Sequence, residues 1–295
     1  MTTAIHVEGL VKDYGSFRAL DGIDLAVEQG EVFGFIGPNG AGKSTTIRIL
    51  LDLLRPTAGD VRVLGEDPTA GGPALRARLG YLPGELTLSG TATGRQLLMH
   101  HAAVRDGHGR DRIAPLAERF LLDLDRPVRA LSKGNKQKIG VVQALMHRPD
   151  LALLDEPTSG LDPLLQQEFL DLVREERDAG TTVFLSSHVL SEIEGVADRV
   201  ALIRDGRIVM VDDVAALRAA AGQRLDVTFA GDAPADALAD VAELEVDGNR
   251  ARGVWRGDVR PLLAILQAQP VVHLELRDRD LEELVLDAYR TEGGA

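Results

Sequence analysis

The loop formed by residues 37–44 constrains the fold of this chain more than any other feature. It reads Gly-Pro-Asn-Gly-Ala-Gly-Lys-Ser. The apolar run Val32–Ile36, which precedes it, predicts a strand, and a helical pattern opens at Lys43. A glycine-rich turn at a helix N-terminus aims backbone N–H groups at one point, where the helix adds about half a positive charge. The pattern therefore predicts a phosphate-binding loop, the alternative being a glycine turn that carries a lysine by accident.

Each residue type in this loop has a predicted role. The glycines let the backbone turn tightly, the lysine reaches the β and γ phosphates of a nucleotide, and Ser44 binds Mg²⁺ with Thr45 behind it. The predicted nucleotide-binding residues of this segment are Gly37, Pro38, Asn39, Gly40, Ala41, Gly42, Lys43, Ser44 and Thr45.

A second anchor for Mg²⁺ is expected at the end of a neighbouring buried strand. The apolar run Leu151–Leu154 is followed by Asp155 and Glu156. Adjacent residues on an extended segment point in different directions, so one carboxylate can hold the metal while the other faces an attacking water. We assign Asp155 to the metal and Glu156 to the catalytic base.

The remaining pattern predicts an α/β core with an insertion. Strands are expected at Ile5–Leu10, Ile23–Val27, Val61–Leu64, Thr182–Leu185, Val200–Ile203 and Arg207–Val211, and helices at Thr45–Leu54 and Leu164–Ala179. Helical patterns form a block between the phosphate-binding loop and the Asp155-Glu156 pair, at Arg95–Val104, Ile113–Leu124 and Ser132–Met146. Strands alternating with helices are typical of a mostly parallel sheet with crossover helices.

A smaller domain is predicted after about residue 220. Arg224–Phe229 and Val271–Leu276 are expected as strands, Leu244–Trp255 as a hairpin, and Ala235–Leu244, Val259–Ala268 and Leu281–Tyr289 as helices. We therefore predict a domain over residues 1–219, with a helical subdomain at about 86–148, and a small α+β domain over residues 220–295.

Composition excludes several function classes. The chain has 46 acidic and 33 basic side chains, a net charge of −13, which disfavours a surface that attracts nucleic acid or anionic lipid. It has no cysteine, so disulfides, thiolate metal sites and thiol nucleophiles are excluded. No apolar stretch approaches the roughly 18 residues of a membrane helix, and no signal peptide pattern is present, so we expect no membrane-spanning segment.

Further motifs make the chain recognisable. Leu-Ser-Lys-Gly-Asn at residues 131–135, Asp-Glu-Pro-Thr-Ser-Gly-Leu-Asp at 155–162 and Ser-Ser-His at 186–188 stand in order after the phosphate loop. The chain from residue 4 to about 215 thereby resembles the ATP-binding subunits of ABC transporters. The resemblance implies the ABC type of P-loop NTPase core, with an N-terminal antiparallel β-subdomain and an inserted helical subdomain.

The resemblance also implies roles for single residues. Tyr14 looks like the aromatic residue that stacks on adenine, and His188 looks like the histidine that contacts the γ-phosphate and orients water. Asp162 looks like the acidic residue that couples two sites across a dimer. The signature segment, with the residues Ser132, Lys133, Gly134 and Asn135, looks like the part that contacts the ATP held by the opposite subunit.

Two departures from the family pattern stand out. Lys133 and Asn135 replace a glycine and a glutamine of the usual signature. Lys133 adds positive charge beside the phosphates, the alternative being a lysine that is merely exposed to solvent. The family also expects a metal-contacting glutamine after a Tyr-Leu-Pro stretch, where this chain has Gly84 and then Glu85. We predict that Glu85 substitutes as a metal contact.

The resemblance implies two copies that close around two ATP molecules with Mg²⁺. It implies transport through separate membrane permease subunits, and a C-terminal appendage of this kind resembles that of ABC-2 type drug exporters. The chain is then expected on the cytoplasmic face of a bacterial membrane, without nucleic-acid partners. Two alternatives stay open here: a soluble ABC-type ATPase acting on ribosomes or nucleic acid, and a nucleotide-binding regulator with low turnover.

Overall fold

The computed structural model describes residues 2–234 and 243–279 of the chain. It divides into two compact units, residues 1–212 and 213–295. The predicted helix Leu281–Tyr289 and nearly all of the predicted helix Ala235–Leu244 lie outside the described residues. None of the helices in the described ranges is long and apolar enough to span a bilayer.

The first unit begins with a three-stranded antiparallel sheet in the order β2-β1-β4. Its strands are β1 (Thr3–Tyr14), β2 (Phe17–Glu28) and β4 (Ala58–Val63). Alternate residues are buried over Ile5–Val7 of β1 and Ile23–Val27 of β2, as expected for a sheet with one solvated face. This sheet is the N-terminal β-subdomain that the resemblance implies.

A six-stranded sheet forms the centre of the first unit, in the order β5-β6-β7-β3-β8-β9. The strands are β3 (Val32–Ile36), β5 (Leu79–Leu82), β6 (Leu151–Asp155), β7 (Thr182–Ser187), β8 (Arg199–Arg204) and β9 (Arg207–Asp213). Pairing is parallel from β5 through β8. β3, β6 and β7 are buried along their whole length, which explains their continuous apolar sequences.

Six α-helices belong to this unit within the described residues. They are α1 (Lys43–Leu50), α2 (Pro68–Ala77), α3 (Gly94–Val104), α4 (Ile113–Arg119), α5 (Lys133–Leu145) and α6 (Pro163–Asp178). Helices α3, α4 and α5 contact one another and form the inserted block. Arg112, just before α4, is ion-paired with the buried Glu176 of α6, and Arg119 is paired with Glu168 and Glu175. These pairs fasten the insertion to the core.

Several elements of the core differ from the expectation. Strands β1 and β2 extend beyond the predicted Ile5–Leu10 and Ile23–Val27 at both ends. Helix α1 ends at Leu50 rather than Leu54, and α4 ends at Arg119 rather than Leu124. Helix α4 cannot continue to Leu124 because the backbone of Leu121 is left-handed, with a φ of +51°. Helix α2 and strand β5 were not predicted at all.

The second unit contains a four-stranded antiparallel sheet in the order β11-β12-β10-β13. Its elements are α7 (Val214–Ala221), β10 (Gln223–Phe229), β11 (Glu243–Asp247), β12 (Arg250–Trp255), α8 (Val259–Gln267) and β13 (Val271–Asp278). Leu225, Val227, Phe229 and Trp255 form its core with Leu262 and Leu266 of α8. The unit is thus an α+β arrangement.

Candidate active site

The loop 37–44 connects the end of β3 to the start of α1. The N–H of Gly37 donates to the carbonyl of Ser187 at 3.2 Å, which ties the loop to the end of β7. A Cβ atom at Gly37 would collide with the carbonyl of Ile203, so a glycine is required there. Gly42 has a φ of +115° and lies against the carbonyl of Ala19. Pro38, Asn39 and Gly40 form the exposed tip.

Lys43 turns back over this loop. Its Nζ donates to the carbonyl of Gly37 at 2.6 Å and lies 3.2 Å from Oε1 of Glu156. The residue is 5% exposed. Ser44 and Thr45 follow on the first turn of α1, half-buried, and their hydroxyls bond to none of the described residues. The structure therefore places Lys43 of the phosphate-binding loop against Glu156, the second carboxylate of the Asp155-Glu156 pair.

Asp155 ends β6 and is 2% exposed. The hydroxyl of Ser186, on the neighbouring strand β7, donates to Oδ1 at 2.6 Å. A Cβ at Gly84 would lie 3.1 Å from Oδ2, so the backbone that follows β5 closes this side of the carboxylate. Glu85 is exposed, and none of the described contacts joins it to Asp155. The metal role of Glu85 stays a prediction.

Glu156 is the most constrained residue of the site. Its backbone φ is +49°, in the left-handed region that residues other than glycine and asparagine rarely adopt. Its N–H donates to Ser186 Oγ at 3.1 Å, and its Oε2 lies 2.7 Å from Nδ1 of His188. The carboxylate is thus held between Lys43 on one oxygen and His188 on the other.

The buried side chain of Gln137 fixes the backbone beyond Glu156. Its Nε2 donates to the carbonyls of Glu156 at 3.3 Å and of Pro157 at 3.1 Å. Gln137 lies on α5 and is 2% exposed. Sequence reasoning did not assign this residue, because one glutamine inside a helical pattern gives no signal of where its amide points.

Glu192 is a second residue that the sequence did not assign. Its Oε2 accepts from the hydroxyls of Thr158 and Ser187, both at 2.9 Å. It therefore links the segment after Glu156 to the segment before His188.

Burial raises the pKa of Tyr81, and the Asp155 carboxylate raises it further.

The predicted signature segment begins helix α5. Ser132 is the N-cap, and its Oγ accepts from the N–H of Asn135 at 3.2 Å. A Cβ at Gly134 would lie 2.6 Å from the carbonyl of Gly160, and Lys133 Nζ lies 3.4 Å from Ser159 Oγ. Among the contacts described, no hydrogen bond or ion pair joins residues 132–135 to the loop 37–45 of the same chain.

Two other predicted residues lie outside this cluster of contacts. Tyr14 is 44% exposed at the end of β1, opposite Phe17 in the strand register, with Lys12 Nζ 5.1 Å from its ring centroid. Asp162 is the N-cap of α6 and accepts from Leu165 N–H at 3.1 Å. Phe17 is 60% exposed and is a second candidate for a stacking aromatic.

Comparison with known proteins gives consistent matches. The ABC transporter family model matches residues 20–159. The chain is 36% identical to the daunorubicin/doxorubicin resistance ATP-binding protein DrrA of Streptomyces peucetius over 97% of this chain and 91% of that protein. It is 37% identical to the bacitracin transport ATP-binding protein BcrA of Bacillus licheniformis over 70% and 69%. A solved ATP-binding subunit of an ABC transporter matches with a TM-score of 0.68 and 30% identity over 73% and 92%.

Proposed function

The chain belongs to the ABC transporter family of ATP-binding proteins, and from this premise we propose that two copies close around Mg-ATP and that its hydrolysis drives export through separate ABC-2 type permease subunits. ATP binding and hydrolysis are the activity of the family.

The observation that carries the proposal is the position of Glu156. Its side chain is 19% exposed, with Lys43 against one carboxylate oxygen and His188 against the other. A fixed carboxylate of this kind can accept a proton from a water that attacks a γ-phosphate. Lys43 and the N–H groups of Asn39, Gly40 and Gly42 would hold the phosphates, and His188 would orient the water together with Glu156.

The residues around Asp155 fit a magnesium ion. The available donors are the Asp155 carboxylate and the Ser44 hydroxyl, which are hard oxygen ligands of the type that Mg²⁺ prefers. Ser186 already occupies one oxygen of the carboxylate and orients it. When bound, the ion would neutralise charge that develops on the phosphate oxygens.

The second copy is proposed to complete each site. Helix α5 is 13 residues long, has no acidic residue in its first turn and begins at the capped Ser132. Its N-terminus, with Lys133 added, favours binding of an anionic group. Because none of the described hydrogen bonds or ion pairs joins residues 132–135 to the loop 37–45 of their own chain, we propose that they face the γ-phosphate held by the partner copy.

Export is the direction that the relatives support. One relative is named for resistance to daunorubicin and doxorubicin, and another is named for bacitracin transport. We propose that this chain likewise serves an exporter and that it binds the cytoplasmic face of the membrane through its permease. The net charge of −13 disfavours the alternative of a ribosome- or nucleic-acid-bound ATPase.

The test is the substitution Glu156→Gln, with Glu118→Gln on the exposed side of α4 as the matched control. We expect Glu156→Gln to bind ATP and to form an ATP-dependent dimer in light scattering, with turnover reduced about 10²- to 10⁴-fold. Glu118→Gln should hydrolyse ATP normally. Normal turnover of Glu156→Gln, or a monomer at saturating ATP, would contradict the proposal, and turnover near zero in the wild type with its permease would favour the regulator.

A further inference from the structure

Glu192 closes a ring of contacts around the pair formed by Glu156 and His188. It lies in the turn that follows His188. Its Oε2 atom accepts two hydrogen bonds, one from the hydroxyl of Thr158 and one from the hydroxyl of Ser187, both at 2.9 Å. Thr158 stands two residues after Glu156, and Ser187 directly precedes His188. One carboxylate oxygen therefore joins the two backbone segments that carry the pair.

The two hydroxyl groups depend on this oxygen because both are buried. Thr158 is 2% exposed and Ser187 is 0% exposed. The hydroxyl of Ser187 also accepts from the N–H of Val189 at 3.1 Å. It donates to Glu192 and accepts from the residue beyond His188, so Glu192 orients the group that fixes the backbone on both sides of this histidine.

The turn that carries Glu192 is anchored to the central sheet. The next residue, Ile193, is fully buried, and a Cβ atom at Gly34 of β3 would lie 2.7 Å from its Cδ1. The N–H groups of Ile193 and Glu194 both donate to the carbonyl of Leu190, at 3.0 and 2.9 Å. The core thus fixes the position from which the Glu192 carboxylate extends.

The ring of His188 needs such support. The side chain is 49% exposed, and its one hydrogen bond to a described residue joins Nδ1 to Oε2 of Glu156 at 2.7 Å. The place of so exposed a ring depends on its own backbone. Among the described contacts, no hydrogen bond or ion pair joins Glu192 itself to Glu156 or His188. Any effect of Glu192 on the pair therefore passes through Thr158 and Ser187.

We propose that Glu192 is a positioning residue, which fixes His188 relative to Glu156 by accepting from both hydroxyls. The inference rests on the proposed function, in which these two side chains act on the attacking water. A misplacement of about 1 Å can lower a rate by about 10²-fold, so a residue that touches no reacting atom can still control turnover. This role needs one oxygen that accepts two hydrogen bonds, and it does not need a charge.

The experiment compares two substitutions of Glu192 in the whole chain. Glu192→Ala removes the acceptor, and we expect kcat for ATP to fall about tenfold while KM changes less than about twofold, because the loop 37–44 is untouched. Glu192→Gln keeps an acceptor oxygen and should restore kcat to within about twofold of the wild type. The control is Ser191→Ala, which alters an exposed residue of the same turn and should match the wild type.

A double-mutant cycle separates positioning from a general loss of structure. If Glu192 acts through His188, adding Glu192→Ala to His188→Asn should lower kcat by less than about twofold further. Losses that multiply would overturn the proposal. Wild-type kcat in Glu192→Ala, or a Glu192→Gln variant as slow as Glu192→Ala, would overturn it as well.

A second measurement needs no turnover. The Nδ1 signal of His188, assigned by its loss in His188→Asn, is followed by nitrogen NMR in the nucleotide-free chain. It should shift in Glu192→Ala and keep its position in Glu192→Gln. If Glu192→Ala does not fold, Thr158→Val removes one of the two hydroxyls and should shift the signal, whereas Thr158→Ser should not. An unshifted signal in a wild type that hydrolyses ATP contradicts this inference alone, whereas a wild type without ATPase activity contradicts the proposed function.

Discussion

Nδ1 of His188 lies 2.7 Å from Oε2 of Glu156, while Nζ of Lys43 lies 3.2 Å from the other oxygen of the same carboxylate. Three motifs that are up to 145 residues apart in the chain thereby meet at one side chain. The contact with His188 has hydrogen-bond geometry, whereas the contact with Lys43 is an ion pair to an oxygen that has no hydrogen bond among the described residues. Each of the three residues is therefore expected to affect turnover in its own way.

The first prediction concerns His188. We expect His188→Asn to lower the turnover number about 10²-fold, because Glu156 loses the partner of one oxygen and the attacking water loses a contact. The dissociation constant for ATP should change less than about threefold, since Lys43 and the loop are untouched. Steady-state ATPase assays and equilibrium nucleotide binding measure the two effects. The exposed His100→Asn serves as the control, and a pure loss of ATP affinity would contradict the assignment.

The second prediction separates two exposed aromatic residues. Tyr14 and Phe17 face each other across the turn between β1 and β2. If Tyr14 stacks on adenine, Tyr14→Ala should weaken ATP binding about tenfold, because stacking on a base contributes about 1–3 kcal/mol. Phe17→Ala should change it less than twofold. Fluorescent nucleotide titration measures both, and the opposite order would assign the stacking role to Phe17.

Much of the fold and of the site was predictable because its signals are contiguous. The loop 37–44 and the pair Asp155-Glu156 each lie beside a fully buried strand, so the apolar run and the polar residues that follow it are read together. The buried strands β6 and β7 were predicted within two residues of their bounds for the same reason.

The parts that the sequence did not reveal depend on contacts between distant segments or on weak local patterns. Helix α2 contains Gly72 with a φ of +56° and then Pro73, which break the helical pattern. Strand β5 has only four residues. The approach of Gly84 to Asp155 and the bonds of Gln137 arise from tertiary packing, which no periodicity records.

The third prediction tests the close approach of Gly84. A Cβ 3.1 Å from Oδ2 of Asp155 is tighter than ordinary contact, so Gly84→Ala should displace the carboxylate by a few tenths of an ångström. We expect the Mg²⁺ concentration for half-maximal ATPase activity to rise several-fold. The control is Gly231→Ala, where a Cβ meets open space. An unchanged Mg²⁺ requirement would mean that Asp155 does not hold the metal.

The fourth prediction concerns the buried amide of Gln137. Gln137→Ala would leave the carbonyls of Glu156 and Pro157 without their donor, which should lower the free energy of unfolding by about 1–3 kcal/mol. Turnover should fall as well, because the strained backbone of Glu156 loses a support. Urea unfolding and ATPase assays measure the two effects. Gln167→Ala, which removes an exposed amide on α6, should change stability by less than about 0.5 kcal/mol.

The last prediction concerns acid and His147. The pKa of this ring is lowered to about 4 in the native state, chiefly by burial, whereas an unfolded chain titrates near 6.5. The unfolded state therefore binds more protons between these values, and stability falls as the pH falls. From pH 7.5 to 5.8, this one ring should lower the free energy of unfolding by about 1 kcal/mol.

Urea unfolding in phosphate-free buffer at the two pH values measures this effect. His147→Gln should lose about 1 kcal/mol less than the wild type over the same interval, because glutamine does not titrate. The control His100→Gln, which removes an exposed histidine of the same helical block, should retain the wild-type dependence. An equal pH dependence in the wild type and His147→Gln would show that the ring takes up a proton over this interval in the folded protein as it does in the unfolded chain, and would contradict the lowered pKa.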